Sequence, residues 1–289
     1  MADFKIGVII DSFRLGVDEG IRKAREVGAD GIQIGATSGE MAPESLNPAQ
    51  RRELLDKVTS QGLVISALVG DLGGHGFMFA DDNAWRIEKS KRILELAREL
   101  DTRVVTTHIG VVPADPAHPR YKVLQDACIE LARFGDELGA YFAIETGPEP
   151  ADVLRTFLDS LGAKGVRVNL DPANFVMVTG DDPVRAVKLL EPYIVHTHAK
   201  DGIRLLVKDP EIIYGMIEDA IQAGEAFREV PLGQGQVHFP NYLKALDEIG
   251  YHDFLTIERE VGDNPEQDIR LAVSFLKENI RLLNQARQE

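Results

Sequence analysis

Four polar residues stand directly after apolar runs of the sequence, and their types are those of a cation site. Glu145 ends YFAIE, Asp171 ends VRVNLD, His198 ends YIVHTH and Glu258 ends FLTIE. Three carboxylates brought together would repel one another, and loss of solvent would raise their pKa values. A divalent cation removes that conflict and accepts a neutral imidazole as a further ligand. This donor set favours one Mn²⁺ ion, with Mg²⁺, Co²⁺ and Zn²⁺ as alternatives.

Each of these residues also has an ordinary structural interpretation. Glu145 could be a solvated loop residue, and Asp171 could begin a turn through the proline that follows it. Glu258 could pair with the arginine next to it, and His198 could be a buried histidine with satisfied hydrogen bonds. The prediction of a metal site therefore depends on all four residues meeting at one place.

The stretch YIVHTHAKD contains two histidines and a lysine at the end of an apolar run. Side chains alternate along a strand, so His196 and His198 point to the same side. We expect His198 to be the ligand and His196, one pleat deeper, to orient it or to pack beneath the site, as an outer partner of a metal-bound imidazole does. Strand parity directs Lys200 elsewhere unless a turn brings it back, in which case it would contact the substrate.

These residues must be positioned by an alternation of strands and helices that runs through the chain. A typical helix pattern follows Asn47, the expected N-cap, with Pro48 in the first turn and Gly62 as the C-terminal stop. Such alternation implies a parallel sheet, and eight units suggest closure into a (β/α)₈ TIM barrel, an α/β fold, in a single domain. Active sites of this fold lie at the C-terminal ends of the strands. The predicted strands are 4–10, 31–35, 63–70, 103–110, 141–145, 166–171, 193–198 and 254–258.

Further residues near predicted strand ends are candidates for contact with a substrate. His108 ends the fourth strand, and His75 lies in the glycine-rich loop GDLGGHGF, where Phe77 and Phe79 would either cover a ligand or simply pack. The segment PLGQGQ would be either a tight turn or a place where backbone approaches substrate. The long connection from residue 201 to 230, with the helix-like PEIIYGMIEDAIQAG, suggests a lid or an interface. Other candidates for the pocket wall are Asp11, Gln33 and Asp71.

Composition and charge narrow the class of function. The net charge of −15 opposes binding to nucleic acid, which needs a basic surface. Cys128 is the single cysteine, so no intrachain disulfide forms, and its helical context indicates a small buried side chain. No G-x-G-x-x-G motif follows the first strand, which argues against a dinucleotide fold. The start lacks a signal-peptide pattern and no run is long enough to span a bilayer, so we expect a cytoplasmic protein without membrane contacts.

The chain resembles the sugar phosphate isomerase/epimerase superfamily, the xylose-isomerase-like TIM barrels that include ketose 3-epimerases and inosose isomerases. The resemblance extends over nearly all of residues 1–289 and is strongest in GIQIGATSGEMAPESL, VISALVGDLG, AIETG, NLDPANF, HTHAKD, VPLGQGQVHFPNYLKALDEIGY and TIERE. It implies that Glu145, Asp171, His198 and Glu258 bind one divalent metal. It also implies that the two glutamates form the catalytic acid/base pair.

Two departures from the ketose 3-epimerase pattern concern the substrate. Those enzymes commonly have a substrate-binding histidine three residues after the aspartate ligand, where this chain has Asn174. They also have an arginine shortly after the histidine ligand, and no equivalent is assured here, although Arg204 follows six residues later. The metal assignment is unaffected, whereas the identity of the sugar is left open.

The resemblance implies an isomerase or epimerase of a sugar, a sugar phosphate or a related hydroxyketone, acting by proton transfer through a metal-bound enediolate. One alternative is a metal-dependent dehydratase of a polyol ketone, of the inosose type. A DNA-repair endonuclease on this barrel fits the acidic charge and the seven histidines poorly. A barrel that binds sugar without chemistry is a further alternative. The expected partner is a small carbohydrate, and a homo-oligomer is compatible with the sequence.

Overall fold

The computed structural model describes residues 2–218 and 224–287. Eight parallel strands close into a barrel in the order β1-β10-β7-β6-β5-β4-β3-β2, and the predicted TIM barrel is thereby confirmed. The observed strands lie inside the predicted runs except at the seventh, which extends one residue further. Their bounds are β1 Lys5–Ile9, β2 Gly31–Gly35, β3 Val64–Val69, β4 Val104–Thr107, β5 Tyr141–Glu145, β6 Val166–Leu170, β7 Ile194–Ala199 and β10 Phe254–Ile257.

Helices follow the strands along the chain and cover the barrel with their apolar faces. α2 begins as its sequence predicts, because the Asn47 side chain accepts hydrogen bonds from the amides of Ala49 and Gln50 while the Gln50 side chain accepts one from the Asn47 amide. Cys128 lies fully buried in α4. The helices are α1 Val17–Val27, α2 Pro48–Ser60, α3 Ala80–Glu99, α4 Pro119–Leu138, α5 Ala151–Asp159, α6 Pro172–Asn174, α7 Pro183–Leu190, α8 Pro210–Ile213, α9 Phe239–Glu248 and α10 Pro265–Ala286.

A layer of polar side chains crosses the barrel interior below its C-terminal mouth. The Gln33 amide donates to Thr106 Oγ1 (2.8 Å), and its carbonyl oxygen lies 3.1 Å from His196 Nε2. Thr256 Oγ1 lies 2.9 Å from the same His196 nitrogen. These residues are fully buried, and Gln33 reaches strands that are not its neighbours, so the bonds run through the interior. The site at the mouth therefore lies directly above a layer of hydrogen-bonded side chains.

The connection from 201 to 230 forms an antiparallel hairpin, with β8 Asp201–Arg204 paired to β9 Phe227–Val230. Its helix-like sequence yields only α8 and turns up to residue 218, so most of the expected helix is absent where the structure describes it. The remainder of that prediction, residues 219–223, lies outside the described residues. Within the described ranges, no helix has both the length and the apolar character needed to cross a membrane.

Candidate metal centre and active site

Glu145, Asp171, His198 and Glu258 meet at the C-terminal mouth of the barrel. They come from the end of β5, the N-cap of α6, the body of β7 and the residue after β10. His198 Nδ1 lies 3.5 Å from Glu145 Oε1, 3.7 Å from Asp171 Oδ2 and 3.2 Å from Glu258 Oε2. One potential ligand atom of each residue lies within 4.8 Å of the others. The arrangement brings together the four residues that the sequence singled out.

Asp171 shows how well this donor set fits a cation. Its Oδ1 accepts the amide hydrogens of Ala173 and Asn174 at 2.8 and 3.1 Å. Its Oδ2 is buried without a hydrogen-bond partner among the described residues and faces the ring of His198. A buried carboxylate oxygen without a partner costs free energy. A cation among the four side chains would supply that partner.

The protonation of the cluster supports the same conclusion. Burial opposes charge on the His198 imidazole, but the carboxylates of Glu145 and Glu258 outweigh it and raise its pKa well above the usual value. Burial raises the pKa of Asp171. Burial also opposes charge on Glu258, yet Lys200 and His198 lower its pKa. The protein alone therefore balances its carboxylates with a proton on His198, and a divalent cation would replace that proton.

Glu145 is held by two amide side chains. The Asn174 amide donates to Oε1 at 3.1 Å and the Asn169 amide to Oε2 at 3.2 Å. Gly147 allows this approach, because a Cβ there would lie 2.5 Å from the Cβ of Asn174. Asn174, predicted to contact substrate, thus positions Glu145 and also lines the cavity above it. Asn169 was not predicted, although it precedes Asp171 by two residues in the strand pattern and so shares its side.

His196 lies beneath His198, with ring centroids 6.0 Å apart. The two rings do not bond to each other, because Gln33 Oε1 lies between them, 3.1 Å from His196 Nε2 and 3.3 Å from His198 Nε2. Burial and the neighbouring His198 lower the pKa of His196 well below its usual value, so it is neutral. Since a carbonyl oxygen only accepts, Gln33 favours the proton of His198 on Nε2, and Nδ1 then faces the three carboxylates; the Asn169 amide nitrogen lies 3.2 Å from Nε2 and 3.4 Å from Nδ1.

A cavity of about 150 Å³ lies over the cluster. The His108 ring faces it, with Nδ1 3.0 Å from Asp71 Oδ2. Its buried Nε2 has no hydrogen-bond partner in the part of the chain that the structure describes and lies 4.0 Å from Glu145 Oε1. Burial opposes charge on His108, but Glu145 and Asp71 raise its pKa to about 9. The predicted location of His108 at the substrate cavity agrees with this geometry, and Asp71 acts as its partner rather than as a wall residue.

Lys200 also reaches the cavity, and the expectation that strand parity directs it elsewhere is wrong, because residues 196, 198 and 200 of an extended chain face the same side. β7 ends at Ala199 and β8 begins at Asp201, so Lys200 lies between the two strands. The Lys200 ammonium donates to Glu258 Oε2 at 3.1 Å and to Glu260 Oε2 at 2.6 Å. Its side chain thus reaches the mouth on the side of His198 without the turn that the sequence left open.

His75 lies outside this cavity, contrary to its predicted contact with substrate. Its Nε2 lies 2.9 Å from Asp82 Oδ2 at the start of α3, and its ring meets the edge of Phe79. Phe77 is buried against Phe142, and Phe79 is half exposed, so neither forms a cover over the cluster. The glycines at 73, 74 and 76 give this loop its irregular course, since all three adopt positive φ angles that other residues rarely adopt.

Neither the place of Tyr214 at the mouth nor the role of Asp201 there was predicted. Tyr214, which follows α8 in the long connection, lines the cavity, and its ring lies 5.6 Å from that of His108. In the PLGQGQ segment, the amides of Gly233 and Gly235 both donate to Asp201 Oδ2 at 2.9 Å, and the amide of Val237 just beyond donates to Oδ1. The structure therefore makes PLGQGQ a turn fastened to Asp201, not a backbone site for substrate.

Comparison with known proteins places this geometry in a family. Residues 21–279 match the Xylose isomerase-like TIM barrel family, and the chain belongs to it. An uncharacterised protein of Methanocaldococcus jannaschii is 24% identical over 217 residues, which cover 69% of this chain but only 64% of that protein.

Three solved structures share the fold, each below 25% identity. A xylose isomerase domain protein from Planctomyces limnophilus superposes with a TM-score of 0.80 at 24% identity, covering 98% of both chains. The probable 3-DHS dehydratase AsbF of Bacillus anthracis has a TM-score of 0.74 at 21% identity, covering 94% of this chain and 98% of its own. An L-ribulose 3-epimerase has a TM-score of 0.74 at 16% identity, covering 100% of this chain and 97% of its own.

Proposed function

We propose that the protein is a divalent-metal-dependent isomerase or epimerase of a sugar or a related hydroxyketone. The observation that carries the proposal is the buried cluster of Glu145, Asp171, His198 and Glu258 at the mouth of the barrel. Neighbours of the same fold include a ketose 3-epimerase, which makes this chemistry compatible with the scaffold.

The four residues would hold the cation, and Mn²⁺ suits three oxygen donors and one nitrogen best. When bound, such an ion acts as a Lewis acid that polarises a carbonyl and acidifies the adjacent C–H bond. The protein contributes the orientation of the ligands through Gln33, Asn169 and Asn174. These outer hydrogen bonds keep the donor atoms in place before substrate arrives.

Proton transfer falls to the two glutamates in this proposal. Glu145 and Glu258 follow barrel strands five and eight, so they flank a substrate that lies across the mouth. Lys200 lowers the pKa of Glu258, which keeps that carboxylate ionised and able to remove a proton from carbon. Glu145, fixed by two amides, would return a proton to the other face. The order of the two steps depends on the substrate.

The test is deuterium uptake from D₂O by a panel of ketoses and ketose phosphates incubated with Mn²⁺-loaded protein. Exchange at a carbon next to the carbonyl is expected whatever the net reaction. Elemental analysis of the protein accompanies the assay, so that an inactive sample is known to contain metal. Absence of exchange from every compound with metal bound would contradict the proposal.

A second candidate is metal-dependent dehydration of a polyol ketone, and His108 favours it. Its unpartnered Nε2 faces the cavity while Asp71 holds Nδ1, so the ring could protonate a leaving hydroxyl. The probable dehydratase AsbF shares the fold. Formation of a conjugated, ultraviolet-absorbing product would separate dehydration from isomerisation.

A further inference from the structure

A second cavity of about 410 Å³ opens at the mouth beside the four side chains of the candidate metal centre. Glu258 and Glu260 line both cavities, so the two adjoin, and these side chains, both bonded to Lys200, stand between them. Ligand pockets usually measure about 300 to 1,000 Å³, and the cavity over the cluster alone is smaller than this. Together the two cavities therefore offer more room than the reacting carbons of a small ketose require.

The charges around the second cavity disfavour an anion. The carboxylates of Asp11, Glu258 and Glu260 line it. Its two guanidinium groups are already bonded to the protein: Arg14 donates to the carbonyls of Gly262 and Glu260 at 2.8 and 3.1 Å, and Arg259 donates to Asp268 Oδ2 at 2.8 Å and to Glu229. A phosphate here would meet three carboxylates and two guanidinium groups. Arg259 is already paired with carboxylates, and Arg14 keeps its charge but uses both terminal nitrogens on carbonyl oxygens, so negative charge predominates among the lining residues.

The backbone amides that might bind phosphate are committed as well. TIM barrels often hold phosphate in the loops after strands seven and eight. Here the amides of Gly233, Gly235 and Val237, in that region, donate to the buried carboxylate of Asp201. On the side of the second cavity, the amide of Gly35 donates to Asp11 Oδ2 at 3.0 Å. Internal carboxylates thus occupy the places where a substrate phosphate would bind.

The same walls suit a neutral, hydroxyl-bearing group. Ile9 and Val69 supply apolar surface, and the carboxylates around them can accept hydrogen bonds from hydroxyls. Arg14 adopts a left-handed backbone conformation with φ of 59°, rare for a residue with a side chain. Its bonds to Gly262 and Glu260 fasten the turn after β1 to the loop after β10 and so maintain the cavity wall.

We propose that the second cavity binds an uncharged polyhydroxy extension of the substrate, such as a second sugar unit, and discriminates against a phosphorylated one. This inference rests on the proposed function for its reacting end. Asp11 is the specificity-determining residue, because its carboxylate both accepts hydroxyl hydrogens and repels phosphate.

The test uses three ligands that share one reacting unit: a ketose, its 6-O-glucoside and its 6-phosphate. With D-fructose as the ketose they are D-fructose, isomaltulose and fructose 6-phosphate, and the ketose that exchanges fastest replaces fructose if another does. Titration calorimetry on Mn²⁺-loaded protein gives Kd, and deuterium uptake gives a kinetic readout. We expect the glucoside to bind at least about tenfold more tightly than the bare ketose, and the phosphate more weakly than the glucoside.

Asp11→Asn tests the role of Asp11, because asparagine keeps the size of the side chain and an oxygen that accepts from the Gly35 amide but removes the negative charge. The ratio of Kd for phosphate to Kd for glucoside should fall about tenfold or more. Asp56→Asn, an exposed change on α2, is the matched control and should leave the ratio unaltered. Gly35→Val, which adds bulk beside Asp11, gives a second variant that should selectively weaken the glucoside.

Two outcomes overturn the inference: a 6-phosphate that binds as tightly as the glucoside, or a glucoside that binds no more tightly than the ketose. Failure of the proposed function is distinct, because it appears as absence of deuterium exchange from all three compounds. Calorimetry still tests the cavity in that case, since binding of the extension does not require turnover.

Discussion

At the scale of single residues, the site combines donors that the sequence reveals with partners that it does not. Glu145, Asp171, His198 and Glu258 could be predicted because parallel strands bring their C-terminal ends together. The partnership of His108 with Asp71 could not, since it depends on the orientation of two loop side chains. Roles in metal binding and catalysis stay predictions, and two residue-level experiments address them.

Replacement of Asp171 by asparagine should weaken Mn²⁺ binding, because a charged ligand becomes neutral. The loss should exceed the roughly 10- to 100-fold effect of removing an outer hydrogen-bond partner. Elemental analysis after dialysis measures retained metal, and Asp56→Asn serves as the control at an exposed aspartate. Equal retention in wild type and Asp171→Asn would refute the assignment.

Glu145→Gln and Glu258→Gln should each reduce net isomerisation by about 10²- to 10⁴-fold, because glutamine offers an oxygen to the metal but cannot accept a proton. One variant is expected to keep washing deuterium into substrate without forming product, since the other glutamate still exchanges its proton with solvent. Mass spectrometry of substrate and product, with metal content measured in parallel, separates these effects. A metal-loaded variant with near wild-type turnover would make that glutamate a ligand only.

At the scale of elements, the alternation of strands and helices and the capping of helices explain the elements that the sequence predicted. The features that it did not predict lie in irregular segments. The strands, and α2 with its Asn47 cap, follow local patterns that tertiary contacts reinforce. Tyr214 reaches the mouth through the irregular connection after α8, where no periodicity exists to interpret, whereas Lys200 faces the side of His196 and His198 as alternation along the strand requires. His75 lies outside the cavity with its Nε2 beside Asp82 Oδ2, a direction that no local pattern in its glycine-rich loop predicts.

Asp201 fastens the start of the hairpin β8–β9 to the segment that follows it, because its carboxylate accepts four backbone amides, those of Gly202, Gly233, Gly235 and Val237. Asp201→Ala leaves buried donors unpaired and should lower the free energy of unfolding by at least about 3 kcal/mol. Asp209→Ala, which removes an exposed cap of α8, should cost about 1 kcal/mol or less. Urea unfolding gives the energies, and hydrogen exchange at residues 233–237 should rise in the first variant alone.

At the scale of the whole molecule, buried charge couples the fold to pH. Glu149, in the loop after β5, is buried, and its Oε2 accepts a hydrogen bond from the Val112 amide at 3.2 Å. Burial raises the pKa of Glu149 to about 8 from 4.5. The folded protein therefore retains a proton that the unfolded chain releases between these pH values, so stability falls as pH rises through that range.

Glu149→Gln should remove this dependence. The variant should match wild type near pH 5 and exceed it near pH 8.5 by roughly 4 kcal/mol, since each pKa unit corresponds to about 1.4 kcal/mol. Chemical denaturation of metal-free protein across that range measures the difference, with exposed Glu137→Gln as the control. Parallel pH profiles for wild type and Glu149→Gln would show that Glu149 is ionised in the fold.

The overall charge of −15 bears on partners at the same scale. A polyanion is repelled by such a surface, so we expect no cleavage of DNA that contains abasic sites, with or without Mn²⁺. A nicking assay on a labelled duplex, with intact duplex as the control substrate, measures this. Robust metal-dependent cleavage would redirect the proposed function toward DNA repair.

The hydrogen bonds of Gln33 also bear on the order of events in folding. This residue of β2 meets His196 and His198 across sequence separations of 163 and 165 residues. The orientation of the histidine ligand therefore depends on chain segments that come together only when the cylinder of strands has closed. Cation affinity is then a property of the closed cylinder, and by mass action a bound ion stabilises that state against any partly opened one. A ribosome-bound nascent chain would acquire its metal site only after the last strand has emerged.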